Sequence, residues 1–151
     1  MGFKFRLQKV LHHRKSVENI ARKDFMEATA DLEEAKGTLK MLYEQVDLAQ
    51  EERQTLVVSG GNQGESLCQI HDYIKGTEIK IERQKLVVQE RQAKVEKMQL
   101  ALQEATIEYK MIEKLESRQH EDYRRTQKKL EEKDLTEMTN ARFNLRRLNE
   151  K

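Results

Sequence analysis

Proline and tryptophan are both absent from the 151 residues, and there is one cysteine, Cys68. The missing proline leaves helices unbroken and argues against a disordered chain, which usually contains it. A single cysteine excludes an internal disulfide and fits a reducing compartment. Aromatic residues make up 5% of the chain and hydrophobic residues 36%, too little for a thick multilayer core. No uncharged apolar run approaches the roughly 20 residues that span a bilayer. The opening MGFKFRLQKVLHHRK lacks the apolar stretch of a secretory leader. The expected compartment is the cytoplasm, with any membrane association made through a protein partner.

Charge is abundant but balanced. Charged residues are 37% of the chain, yet the net charge is +2. A nucleic-acid binder usually shows a strong basic excess, so no nucleic-acid partner is expected. The charge is also unevenly placed. Residues 2–23 hold seven Lys or Arg and one acid, Glu18, whereas residues 24–57 hold nine acids and three bases. The amino-terminal stretch is a basic pole that steers toward acidic surfaces.

Apolar residues recur with a helical coiled-coil period. Ala28, Leu32, Ala35, Leu39, Leu42, Val46, Ala49 and Leu56 follow steps of three and four, interrupted only by Arg53. Backwards, the register passes through Phe25, Ala21, Glu18, Arg14, Leu11 and Leu7. A second seam runs through Leu67, Ile70, Ile74, Thr77, Ile81, Gln84, Val88, Arg91, Val95, Met98, Leu102, Ala105, Tyr109 and Ile112, and turns polar near Glu116. A later set, Leu135, Met138, Leu145 and Leu148, is out of phase with it. A seam this narrow cannot make a globular core and is too apolar to leave in water, so each demands a partner helix.

Between the seams lies TLVVSGGNQGESLCQI, residues 55–70, where three of the six glycines (Gly60, Gly61 and Gly64) fall within five residues. A phosphate loop would require a Lys-Ser/Thr step after the last glycine and a buried strand before it. Here Glu65 and Ser66 follow, and the flanks are helical in pattern. The patch reads as the tip of a hairpin. Gly60 and Gly61 suit a left-handed helix end, and Ser66 or Asn62 is placed to cap the next helix. The expected fold is all-α: a long two-helix antiparallel coiled coil, one rod spanning 1–151. Its helices are expected over about 5–57 and 66–147, with the tip at about 58–65. Folding at residue 61 sets residue 7 near residue 115. The second helix is then the longer, with a carboxy-terminal overhang from Arg118 to Lys151.

Such a rod offers no concave, dry site for catalysis. His12 and His13 diverge around a helix and cannot chelate one metal, and Cys68 has no base at helical spacing to activate it. No enzyme, metal or cofactor is expected.

The two ends carry a pattern of their own. Phe3, Lys4, Phe5, Arg6, Leu7, Gln8, Val10, Leu11 and Arg14 form an aromatic-basic-aromatic-Arg-Leu-Gln stretch, then a Val-Leu pair and an Arg. Glu131, Lys133, Asp134, Leu135, Glu137 and Met138 form a Glu-x-Lys step followed by an acidic-apolar stretch. Both resemble the flagellar export protein family FliJ, whose usual Leu-Asp-Glu step is Leu135-Thr136-Glu137 in this chain. The resemblance implies a two-helix coiled coil similar to the central stalk (gamma subunit) of rotary ATPases, and a non-enzymatic part of the flagellar type III export apparatus. It implies three partners: the hexameric export ATPase FliI, the membrane export gate FlhA and export chaperones. It also implies a cytoplasmic location at the inner face of the membrane, at the flagellar base. Carried onto this sequence, the ATPase contact falls on Phe5, Arg6, Leu7, Val10, Leu11, Arg14, Lys133, Asp134, Leu135, Glu137, Met138 and Arg142. The gate contact falls on Ile70, Ile74, Thr77 and Ile81. An alternative on the same features is a coiled-coil chaperone or scaffold that grips helical or unfolded clients, with six Met residues suiting adaptable packing.

Overall fold

The computed structural model describes residues 2–151. Two long helices, α1 (Gln8–Ser59) and α2 (Gly64–Asn149), form a helical hairpin in which α2 is the longer. The chain divides into two compact units: a hairpin unit, Glu18–Glu104, and a terminal unit, residues 2–17 with Ala105–Lys151.

The hairpin unit is built on the heptad seams. Val46, Ala49, Ile74 and Ile81 form one buried cluster, with Leu39, Leu42 and Ile70 packed against it. Ala28, Leu32 and Val95 form another, flanked by Phe25, Val88 and Met98. Several polar seam positions find partners, as buried polar groups must. Thr77, only 3% exposed, donates its hydroxyl to the Tyr73 carbonyl. Gln84 reaches across to donate to the Ala35 carbonyl at 3.0 Å. Arg91 turns outward to Asp31 at 3.7 Å, and buried Glu18 accepts from Arg22 at 2.6 Å. Asp31 and Arg91 are equidistant in sequence from Gly61, so the register is that of a fold at this glycine.

The tip follows from backbone sterics. Gly60 and Gly61 have φ of 66° and 96°, where a Cβ collides with the backbone. Neither Ser66 nor Asn62 caps α2. The helix begins at Gly64, and its first carbonyl acceptor is Gln63, which receives the Leu67 amide at 3.0 Å. Ser66 lies inside the first turn, where Glu65 complements the helix dipole. Gly60→Ala should cost about 1–2 kcal/mol through backbone strain alone, because nothing lies within 4 Å of the added methyl. Gly76→Ala, inside α2 and equally open, should stabilise by about 0.5–1 kcal/mol. Urea unfolding curves of the two variants should shift in opposite directions.

In the terminal unit, α1 starts at Gln8, later than residue 5, and residues 2–5 are not helical. Arg14 pairs with Glu108, again equidistant from Gly61. Phe3 lies edge-on to His120 at 5.0 Å and tilted against Tyr123 at 5.6 Å. Tyr123 is half-buried, and full exposure begins at Arg124 rather than at Arg118.

Candidate functional site

The residues singled out for docking divide sharply by burial. In the amino-terminal group, Phe5 and Leu11 are buried at 8% exposure and Leu7 is half-buried. These three fasten the start of the chain to α2. Arg6 and Val10 are exposed. Arg14 is half-buried, and its guanidinium is engaged by Glu108. Only Arg6 and Val10 of this group therefore present a free surface.

The carboxy-terminal group is the opposite case. Lys133, Asp134, Leu135, Glu137, Met138 and Arg142 are all exposed, as is every residue from Arg124 to Lys151. The helix nevertheless continues to Asn149. Its composition explains how: Lys, Glu, Arg, Gln, Leu and Met are good helix formers. Arg125 supports Glu121 at 2.6 Å one turn back, and Arg146 and Arg147 occupy the last turn, where they complement the dipole. Leu135, Met138, Leu145 and Leu148 follow one another at steps of three, seven and three along one side. They remain between 60% and 71% exposed. Exposed apolar groups on an otherwise polar, uncovered helix are what a protein-docking face is made of. The terminal unit also concentrates positive charge, with 17 Lys or Arg against 10 Asp or Glu; the hairpin unit has 12 against 17.

Of the residues assigned to the gate, Ile74, Thr77 and Ile81 are 4%, 3% and 5% exposed, and Ile70 is half-buried. They hold α2 against α1, so their side chains are not on the surface. The same stretch does present apolar groups that heptad reasoning passes over. Leu48 and Tyr73 are exposed and line a shallow groove with Gln45, Ala49, Glu52, Gln69 and Ile70. Their signal in the sequence is an apolar residue beside the seam rather than within it. Among the described residues no group of His, Cys, Asp or Glu is arranged to hold a metal ion, and no helix is long and apolar enough to cross a membrane.

A hairpin of two long helices, one with an uncovered end, belongs to the class of all-α coiled-coil proteins. The chain belongs to the flagellar FliJ protein family, whose model matches residues 3–148. Membership makes it a component of the flagellar export apparatus, in a family that is non-catalytic. No curated protein and no solved structure gives a match beside it.

Proposed function

We propose that this chain is the non-enzymatic stalk of the flagellar type III export apparatus. Its terminal unit inserts into the export ATPase hexamer, FliI, and promotes assembly and hydrolysis. The observation that carries this reading is the helical, fully exposed run after Tyr123, with Leu135, Met138, Leu145 and Leu148 uncovered. Bond breaking stays with the ATPase. The chain contributes a contact surface: exposed Arg6 and Val10, the charges Lys133, Asp134, Glu137 and Arg142, and the apolar stripe. Phe5, Leu7, Leu11 and Arg14 act by holding the amino-terminal segment in place.

On this reading the chain works in the cytoplasm at the inner face of the membrane, and reaches the membrane only through the export gate, FlhA. Export chaperones are further partners. With Ile74, Thr77 and Ile81 filling the seam, the exposed Leu48 and Tyr73 are the groups that meet the gate.

The double variant Arg6→Glu/Val10→Asp tests the ATPase contact. Arg6 is exposed and Val10 is 37% exposed, so helical content should stay as in the parent. Binding to the purified export ATPase, measured by titration calorimetry, should weaken about tenfold or more, since a reversed rim charge and a lost apolar contact each remove roughly 1 kcal/mol. Unchanged affinity would remove this surface from the contact.

A further inference from the structure

The outer face of α2 carries a second apolar pattern that neither the hairpin nor the stalk function uses. Ile79, Leu86, Ala93 and Leu100 recur every seven residues. All four are exposed, the three large ones at 57%, 60% and 62%. All four lie in the hairpin unit. With Ile74 and Ile81 in the seam, these positions fall diametrically opposite it on the helix. Because the stripe repeats with the period of the seam, it stays straight along the supercoil instead of winding around it.

The charges beside the stripe specify what covers it. On one flank lie Glu82 and Glu96 with Gln89 between them, and on the other Arg83 and Lys97 with Glu90 between them, where Glu90 meets the neutral Gln89 of a parallel partner. Acid on one side and base on the other, repeated two heptads apart, has a symmetry consequence. When two such helices pack parallel about a two-fold axis along their length, each flank meets the opposite flank of its partner. Glu82 then faces the second copy's Arg83, and Glu96 its Lys97, in four attractive contacts. An antiparallel pair would set like flanks together, acid on acid and base on base. Among the described residues Arg83 and Lys97 make no ion pair within the chain. Glu82 holds Lys85 at 3.0 Å and keeps acceptor sites for a second donor. Gln92 donates to Glu96 at 3.3 Å.

From this stripe and its flanking charges we infer that α2 is a self-association surface, on which a second copy of this chain packs parallel and in register. Leu86 meets Leu86 of the second copy, and Ala93 meets Ala93. A stripe one residue wide buries less than the roughly 1,600 Å² of a standard interface. The pairing is therefore reversible and concentration-dependent. It places two stalk-family hairpins side by side while leaving the exposed helix after Tyr123 free on each.

Sedimentation equilibrium of the full-length chain over a wide concentration range tests this. A monomer–dimer equilibrium is expected. Leu86→Glu should weaken it by at least about tenfold without lowering the unfolding midpoint, because Leu86 is exposed. Glu82→Lys/Glu96→Lys should also abolish the dimer, and adding Arg83→Glu/Lys97→Glu to that variant should restore it. The rescue separates parallel from antiparallel packing, since an antiparallel pair gains nothing from the full swap. A chain that remains monomeric at every concentration overturns the inference. So does a dimer indifferent to Leu86→Glu, which would arise elsewhere, for example by exchange of helices at the tip. Neither result bears on ATPase stimulation, which is measured separately.

Discussion

Deleting residues 134–151 should bring the chain's stimulation of the export ATPase down to the ATPase's basal rate while leaving the rest of the hairpin folded. The deletion removes Leu135, Met138, Leu145 and Leu148, each at least 60% exposed. Covering a mostly exposed Leu or Met contributes roughly 1 kcal/mol after allowance for partial exposure. Four of them together amount to about 100-fold or more in affinity, even with costs of ordering deducted. Folding should be insensitive to the loss, because every residue from Arg124 on is exposed. Circular dichroism should show only the missing turns of α2, with an unchanged unfolding midpoint. Full stimulation by the shortened chain would mean that the carboxy-terminal stripe serves another partner.

Leu32→Ala should show the opposite profile, a large loss of stability from one side chain. Leu32 is 5% exposed and packs with Ala28 and Val95 in a small cluster. A buried Leu→Ala change costs about 2–5 kcal/mol. The lower half of that range applies here, because a two-helix seam can close partly over the gap. Small domains have only about 5–15 kcal/mol to lose. Urea unfolding followed by circular dichroism should therefore show a clear drop in midpoint. Leu130→Ala is the matching control: Leu130 is 49% exposed on the uncovered part of α2, and its removal should change stability by less than about 0.5 kcal/mol. Equal effects at the two sites would contradict a core confined to the seam. The same reasoning applies to Ile74 and Ile81. Substitutions there act first on the fold, and a loss of any partner's binding follows from that.

The fold was legible because a heptad seam is visible at single-residue resolution. The buried set Ala28, Leu32, Ala35, Val46 and Ala49, with Ile74, Thr77, Ile81 and Val95 across from it, follows the steps of three and four. The ion pairs Asp31–Arg91 and Arg14–Glu108 confirm the register set by Gly61. The start of α1 was not legible, because the apolar register runs back to Leu7 without marking where the helix begins. Phe3 meets His120 and Tyr123, beside residue 119, its counterpart for a fold at residue 61.

The docking surfaces were harder to read for a physical reason. The pattern that reveals a seam also draws attention to residues the seam will hide. Ile74, Thr77 and Ile81 stand in the period of the seam, and burial follows from that same period. Tyr73 and Leu48 lie off the seam and carry no period that singles them out. The outer stripe of Ile79, Leu86, Ala93 and Leu100 does have a period, but at one residue in seven it is masked by the stronger seam.

The most direct test of the stalk account is a titration of the full-length chain into the flagellar export ATPase, following ATP hydrolysis and ring assembly together. A stalk in a ring predicts that both rise and saturate at less than one copy of this chain per ATPase subunit. No binding and no stimulation would leave the helical hairpin intact but contradict the stalk, and the client-gripping scaffold would take its place.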